Sequence, residues 1–238
     1  MLIEISCPEL SFRPLSDALE LVKGGFDGIE ILAEEEHRAE NIERTEIGMK
    51  ASIHAPFNDL NIASLREEHR LYSIKEIEKV VIVAEKKGIG LVTFHPGWPS
   101  PFSMGARERV LERARESIVE LNEFAYAHHV TLCTENMPIE GFFSSAEALL
   151  EVTDSVCFDA GHANITGSID SFLDHRECIK NVHLHENSGK QDEHLPLTGE
   201  HIDIERIVRA LGDKNYVIEA RSVEEGEKSR DFLKRRQT

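Results

Sequence analysis

Hydrophobic positions along this chain follow two patterns that take turns. Short segments rich in β-branched and aliphatic residues, LIEIS, DGIEIL, ASIHAP, GLVTFHPG, VTLCTEN, SVCFDAG, KNVHLHEN and NYVIEAR, recur from one end to the other. Between them lie stretches with the 3.6-residue period of amphipathic helices. That period is clearest in residues 73–85, where Ile74, Ile77, Val81 and Ala84 share a face, and in 107–128, where Val110, Ala114, Ile118, Leu121 and Phe124 do. Eight strand segments alternating with helices at roughly thirty residues per unit predict an α/β fold, a closed (β/α)8 barrel in a single domain spanning residues 1–238. The rival, an open doubly wound sheet, needs a glycine-rich phosphate turn after its first strand, and CPELSFRP has neither the glycines nor the spacing.

In such a barrel the C-terminal ends of the strands form the floor of the active site. Polar groups at those ends are His54 in SIHAP, His95 in TFHPG, Glu135 in CTENMP, Asp159 and His162 in CFDAGH, His183 and His185 in VHLHEN, and Glu219 in VIEAR, with Asp192 and His194 in the loop after the seventh strand. A lone histidine at a strand end is more often a rim or core residue than a ligand. Here six of the twelve histidines fall at or just after strand ends, while His201 sits in a loop and the other five lie on charged helical or connecting segments. Imidazoles and carboxylates gathered this way are what a divalent cation requires, and carboxylates facing one another inside a barrel repel unless a cation neutralises them. Alternation puts His183 and His185 on the same inward face; one of them suffices for a given metal, leaving the other, with Glu186, to support it or to touch substrate.

Composition narrows the partners. A net charge of −17 and a pI near 5.1 oppose nucleic acid and anionic membranes. The basic C-terminal stretch KSRDFLKRRQT reads as a solvated helix end, and the run Glu34, Glu35, Glu36 as solvated surface. No window approaches the ~18 apolar residues of a membrane span, and the first residues are too short an apolar run for a signal peptide, so a soluble, cytoplasmic protein is expected. Four scattered cysteines without a CxxC pair suit buried, reduced thiols. His128 and His129 end a helix and receive no catalytic role, whereas Trp98 and Phe102 follow the fourth strand as pocket walls or loop anchors.

Taken together, FDGIEI, SIHAPFNDLNIAS, VTFHPG, TENMP, CFDAGHAN, VHLHENSGKQDEHLPLTGEHIDI and YVIEAR make the chain resemble, nearly end to end, the xylose isomerase-like TIM barrel superfamily. That superfamily contains sugar phosphate isomerases and epimerases as well as endonuclease IV. The resemblance implies a metal centre of Glu135, Asp159, His183 and Glu219, with Glu135 and Glu219 also moving protons. His54, His95, His162, Asp192 and His194 match the positions that extend the centre to three metals in the nuclease. One divalent metal is expected, zinc, manganese or cobalt, with room for up to three.

The two branches run different chemistry. Isomerisation or epimerisation removes a carbon-bound proton beside a metal-polarised carbonyl to give an enediolate, whereas phosphodiester cleavage uses a metal-activated hydroxide and further cations. Three departures set the chain apart from the nuclease: HAPFNDLN has an extra residue and Phe57 in place of a tyrosine, CFDAGHAN lacks a polar and cysteine pair before His162, and HLHEN replaces HLND. With the acidic charge, they favour a small sugar or sugar phosphate as substrate over abasic-site DNA. A non-catalytic metal-binding barrel ranks last, because structural sites are closed rather than spread around an open mouth.

Overall fold

The computed structural model describes residues 1–100 and 105–235, so Phe102 and the last three residues of the basic C-terminal stretch lie outside the described residues. Eight parallel strands, β1 (Leu2–Ser6), β2 (Gly28–Leu32), β3 (Lys50–His54), β4 (Leu91–Phe94), β5 (Thr131–Glu135), β6 (Val156–Asp159), β7 (Ile179–Leu184) and β8 (Asn215–Glu219), pair in sequence order. β8 returns to β1 in a register running from Leu2↔Asn215 to Ser6↔Glu219, which closes the barrel and leaves no sheet edge. Every strand is followed by helix: α1 (Pro8–Ser11) and α2 (Leu15–Val22), α3 (Ala39–Arg44), α4 (Glu67–Lys87), α5 (Arg107–Ala127), α6 (Ala146–Leu150), α7 (Ala160–Thr166) and α8 (Ile169–Asp174), α9 (Ile204–Leu211) and α10 (Val223–Arg235).

The two long helices bury the predicted stripes, Ile74, Ile77, Val81 and Ala84 in α4 and Val110, Ala114, Ile118 and Leu121 in α5, while Phe124 is only partly buried. α4 starts earlier than its apolar period because Glu67 and Glu68 supply the acidic first turn that a helix N-terminus favours, and it stops at Gly88 in the left-handed region (φ 69°). None of the helices is long and apolar enough to cross a membrane among the described residues, and all four cysteines are free and buried.

The strands carry opposite chemistry on their two faces. Ile3, Ile5, Ile29, Ile31, Ile53, Val92, Phe94, Phe158, Val182, Leu184 and Ile218 join the helices in one apolar core. Phe158 stacks on Phe172 of α8 at 4.9 Å, and a Cβ on Gly226 would strike Ile5, so that glycine lets α10 lie flat against β1. The alternate positions inside the barrel are mostly polar, with Cys133, Cys157 and Val217 among them, instead of the usual branched aliphatics. Asn181 of β7 reaches across to Glu30 of β2 (3.0 Å) and Thr93 of β4 (3.0 Å), Asn215 of β8 donates to Glu4 of β1 (3.1 Å) and to Asn181 (2.9 Å), and Ser52 of β3 donates to Glu4. Burial pushes the Glu4 carboxyl up to about 7 against the opposing pull of its Ser52 and Asn215 hydrogen bonds.

Candidate metal centre

Local structure aims the strand-end side chains. Asp159 is the N-cap of α7: its Oδ1 accepts from the His162 backbone N–H (2.6 Å), which leaves Oδ2 buried without a hydrogen bond. Asn136 fastens the tip of β5 to that of β6, accepting from Asp159 N (2.7 Å) and donating to Asp159 O (3.0 Å). The His162 Nδ1 lies 2.8 Å from the Asn136 carbonyl and the His54 Nδ1 lies 2.8 Å from the Ala55 carbonyl; since a carbonyl only accepts, both rings carry their proton on Nδ1 and turn Nε2 inward. Asp192 and His194 arrive from the loop after β7, which is pinned at its base by paired bonds between Glu186 and Leu195. His194 adopts a left-handed backbone (φ 47°) that brings its ring flat onto His185, with centroids 4.1 Å apart.

All ten candidate residues converge at the C-terminal mouth, in three adjoining groups. The first surrounds His183 Nδ1, which lies 3.3 Å from Glu135 Oε2, 3.2 Å from Glu219 Oε1 and 3.9 Å from Asp159 Oδ2. The second surrounds Asp192, whose carboxylate is 3.2 Å from His162 Nε2, 3.2 Å from His194 Nε2 and 3.4 Å from His185 Nε2. The third joins His54 Nε2 (3.3 Å) and His95 Nε2 (3.5 Å) to Glu135. Two atoms each ~2.0–2.2 Å from a shared cation sit roughly 3.0–3.5 Å apart, so most of these separations already match ligands around one ion. Asp159 Oδ2, His183 Nδ1 and both nitrogens of His185 are buried without a hydrogen bond, which is costly unless a cation completes them.

The electrostatics point the same way. Burial alone would raise Glu135 and Asp159, yet the imidazoles around them hold Glu135 well below the carboxylate range and lower Asp159 as well. Burial likewise opposes protonation of His183 and His162, but the surrounding acids win and push both well above the usual imidazole range, with His194 raised to about 9. The cluster demands positive charge, and protons and a divalent cation compete for the same lone pairs. Above it opens a cavity of about 350 Å³, lined on its apolar side by Pro8, Leu32, Phe57 and Trp98; Phe57 packs 5.3 Å from His54 and Trp98 edges onto His95 at 5.5 Å. Trp98 is thus a pocket wall. Arg221 is the one Lys or Arg lining that cavity among the described residues, and it is paired with Glu225 (2.9 Å).

The family model of the xylose isomerase-like TIM barrel matches residues 18–236. The chain belongs to this family. An uncharacterised protein of Methanocaldococcus jannaschii, MJ1311, is 28% identical over 94% of this chain and 86% of its own length. Among solved structures, a D-tagatose 3-epimerase-like protein superposes with a TM-score of 0.87 at 26% identity, covering 100% of this chain and 97% of its own. Endonuclease IV from Thermus thermophilus, at 18% identity and a TM-score of 0.72 over 100% of this chain and 99% of its own, shares the fold.

His185 lies directly over Gly161, where any Cβ would fall inside the imidazole ring. The second histidine of HLHEN therefore needs the glycine of CFDAGH, and it brings a third imidazole to Asp192. Two expectations need correction. Glu186 does not reach the centre: its carboxylate accepts from Thr198 N (3.0 Å), Thr198 Oγ1 (2.8 Å) and Gly199 N, anchoring the loop that carries Asp192 and His194. Glu34 is not solvated surface, because Oε1 accepts from Phe57 N (2.7 Å) and Asn58 N (2.8 Å) and holds the loop after β3 in place. Reading strand ends alone also missed Glu4 and Glu30; the Ile-Glu-Ile alternation in LIEIS and GIEIL puts them on the face opposite the apolar layer, without saying that this face is enclosed.

Proposed function

We propose that the protein is a divalent-metal-dependent isomerase or epimerase acting on a small sugar or sugar phosphate, with Glu135, Asp159, His183 and Glu219 holding the metal. The observation that carries this reading is the convergence of two buried atoms lacking hydrogen bonds, Asp159 Oδ2 and His183 Nδ1, with Glu135 and Glu219 in reach of the same imidazole nitrogen. The metal, when bound, supplies Lewis-acid charge to adjacent hydroxyl and carbonyl oxygens of the open-chain sugar, making the neighbouring carbon-bound proton acidic enough to pass through an enediolate. Glu135 and Glu219, from β5 and β8, remove that proton and return it. His54, His95 and His162 brace Glu135 and offer polar contacts to sugar hydroxyls, while Phe57 and Trp98 close the apolar side against water. A cavity of about 350 Å³ suits a small molecule, and a wall with Arg221 alone lacks the row of Lys and Arg that grips a DNA backbone. The similarity to a D-tagatose 3-epimerase-like protein supports the same class.

A second reading, phosphodiester hydrolysis, is favoured by the groups Asp159–His162–His185 and His54–His95–Glu135, which offer ligands for further cations. One experiment separates the two. Metal-loaded protein is incubated in D2O with a panel of ketoses, aldoses and their phosphates, and in parallel with duplex DNA bearing an abasic site. Deuterium at the carbon next to the carbonyl, reduced at least ~100-fold in Glu135→Gln and in Glu219→Gln, is the expected result. Strand cleavage without carbon-bound exchange overturns it.

A further inference from the structure

Below the metal-facing residues, Glu30 of β2 is fully enclosed in the barrel, and both of its carboxylate oxygens lie 3.2 Å from His183 Nε2. A carboxylate without a proton only accepts, so His183 donates Nε2–H to it and turns Nδ1 toward Glu135, Asp159 and Glu219, where a cation would take the place of a proton. Glu30 is also held by Asn181 Nδ2 (3.0 Å), from the same strand as His183, and by Ser52 Oγ of β3 (3.4 Å). The 3.3 Å between Asn181 Nδ2 and His183 Nε2 is then the spacing of two donors sharing one acceptor. The ring is buried on all sides, so this bond is what sets its rotation and its tautomer together.

We infer that Glu30 is a positioning residue of the metal centre: it holds the proton of the His183 imidazole on Nε2 and aims Nδ1 at the cation, and it adds a buried negative charge one layer beneath it. The inference rests on the reading above that His183 is a ligand, and it assigns work to a strand whose one contribution at the barrel mouth is the apolar Leu32. An imidazole whose far nitrogen donates to a carboxylate binds a cation more tightly than one left free to turn, and loss of such a partner weakens metal binding by roughly 10–100-fold. Glu4 serves as the internal control. It is likewise buried and bonds to Ser52, but no hydrogen bond or ion pair joins it to His183.

The test titrates zinc and manganese into metal-free wild type, Glu30→Gln and Glu4→Gln by calorimetry, and records the imidazole N–H resonances of the metal-free wild type by 15N-resolved NMR. The expected result is a roughly 10–100-fold weaker affinity in Glu30→Gln, less than about threefold change in Glu4→Gln, and a slowly exchanging Nε2–H signal from His183 in the wild type. Glu30→Gln binding as tightly as the wild type, or weakened no more than Glu4→Gln, overturns the inference even if the variant is less stable. The wild-type resonance needs no variant to fold: a His183 without a proton on Nε2 overturns it too. Wild type that binds no metal defeats the proposed function, and the resonance still decides how Glu30 holds the ring.

Discussion

The outward and inward faces of the same eight strands form a natural comparison. Outward, Ile31, Phe94, Phe158 and Ile218 meet the helices in an apolar layer, with no polar partner needed. Inward, Glu4, Glu30, Ser52, Thr93, Asn181 and Asn215 hydrogen-bond across the barrel axis, and the imidazoles and carboxylates of the mouth sit on top of them. Stability is thereby concentrated outside the strands and charge inside. A polar interior gives up hydrophobic burial that branched aliphatics would supply, and in exchange Glu30 gives the His183 ring at the mouth a hydrogen-bonded support from beneath.

The sharpest way to break this division is from its apolar side. Phe158→Ala removes a fully buried ring stacked on Phe172 and is expected to destabilise the fold by about 3–5 kcal/mol in denaturant unfolding, while the folded fraction binds metal with unchanged affinity. A variant that unfolds no more easily but loses metal would show that the two faces are not separate. The smaller effect comes from inside. Burial raises Glu4 from 4.5 to about 7, so the folded state binds a proton more tightly than the unfolded chain. That contribution is complete below pH ~4.5 and is lost as pH rises through about 7, amounting to roughly 3 kcal/mol. Glu4→Gln stays neutral throughout, so its stability relative to metal-free wild type should climb between pH 5 and pH 8 by about that amount. A difference that does not vary with pH would mean Glu4 is ionised in the barrel after all.

The same comparison explains what could be read from the sequence. The fold was legible because the outward face writes an alternating apolar pattern into each strand and a 3.6-residue stripe into α4 and α5. The mouth was legible because His54, Glu135, Asp159 and Glu219 end strands and His183 is the last but one residue of its own, where a barrel exposes its chemistry. The interior was not. A glutamate between two isoleucines, as at Glu4 and Glu30, reads as the wet side of a half-buried strand, and only closure of the barrel turns that side into an interior. Glu34 and Glu186 were hidden for another reason: their partners are backbone N–H groups of distant loops, which leave no mark on composition or spacing. The pairing of Gly161 with His185 likewise exists only once β6 and β7 lie side by side.

The central claim is that the strand ends of β5 to β8 hold a divalent cation. Crystals grown with zinc or manganese and measured at the absorption edge of the metal test it most directly. The account predicts an anomalous peak ~2.0–2.3 Å from side-chain atoms of Glu135, Asp159, His183 and Glu219, with the His183 contact through Nδ1. A peak confined to the Asp192, His162 and His194 group, or none within reach of those four residues, would contradict it.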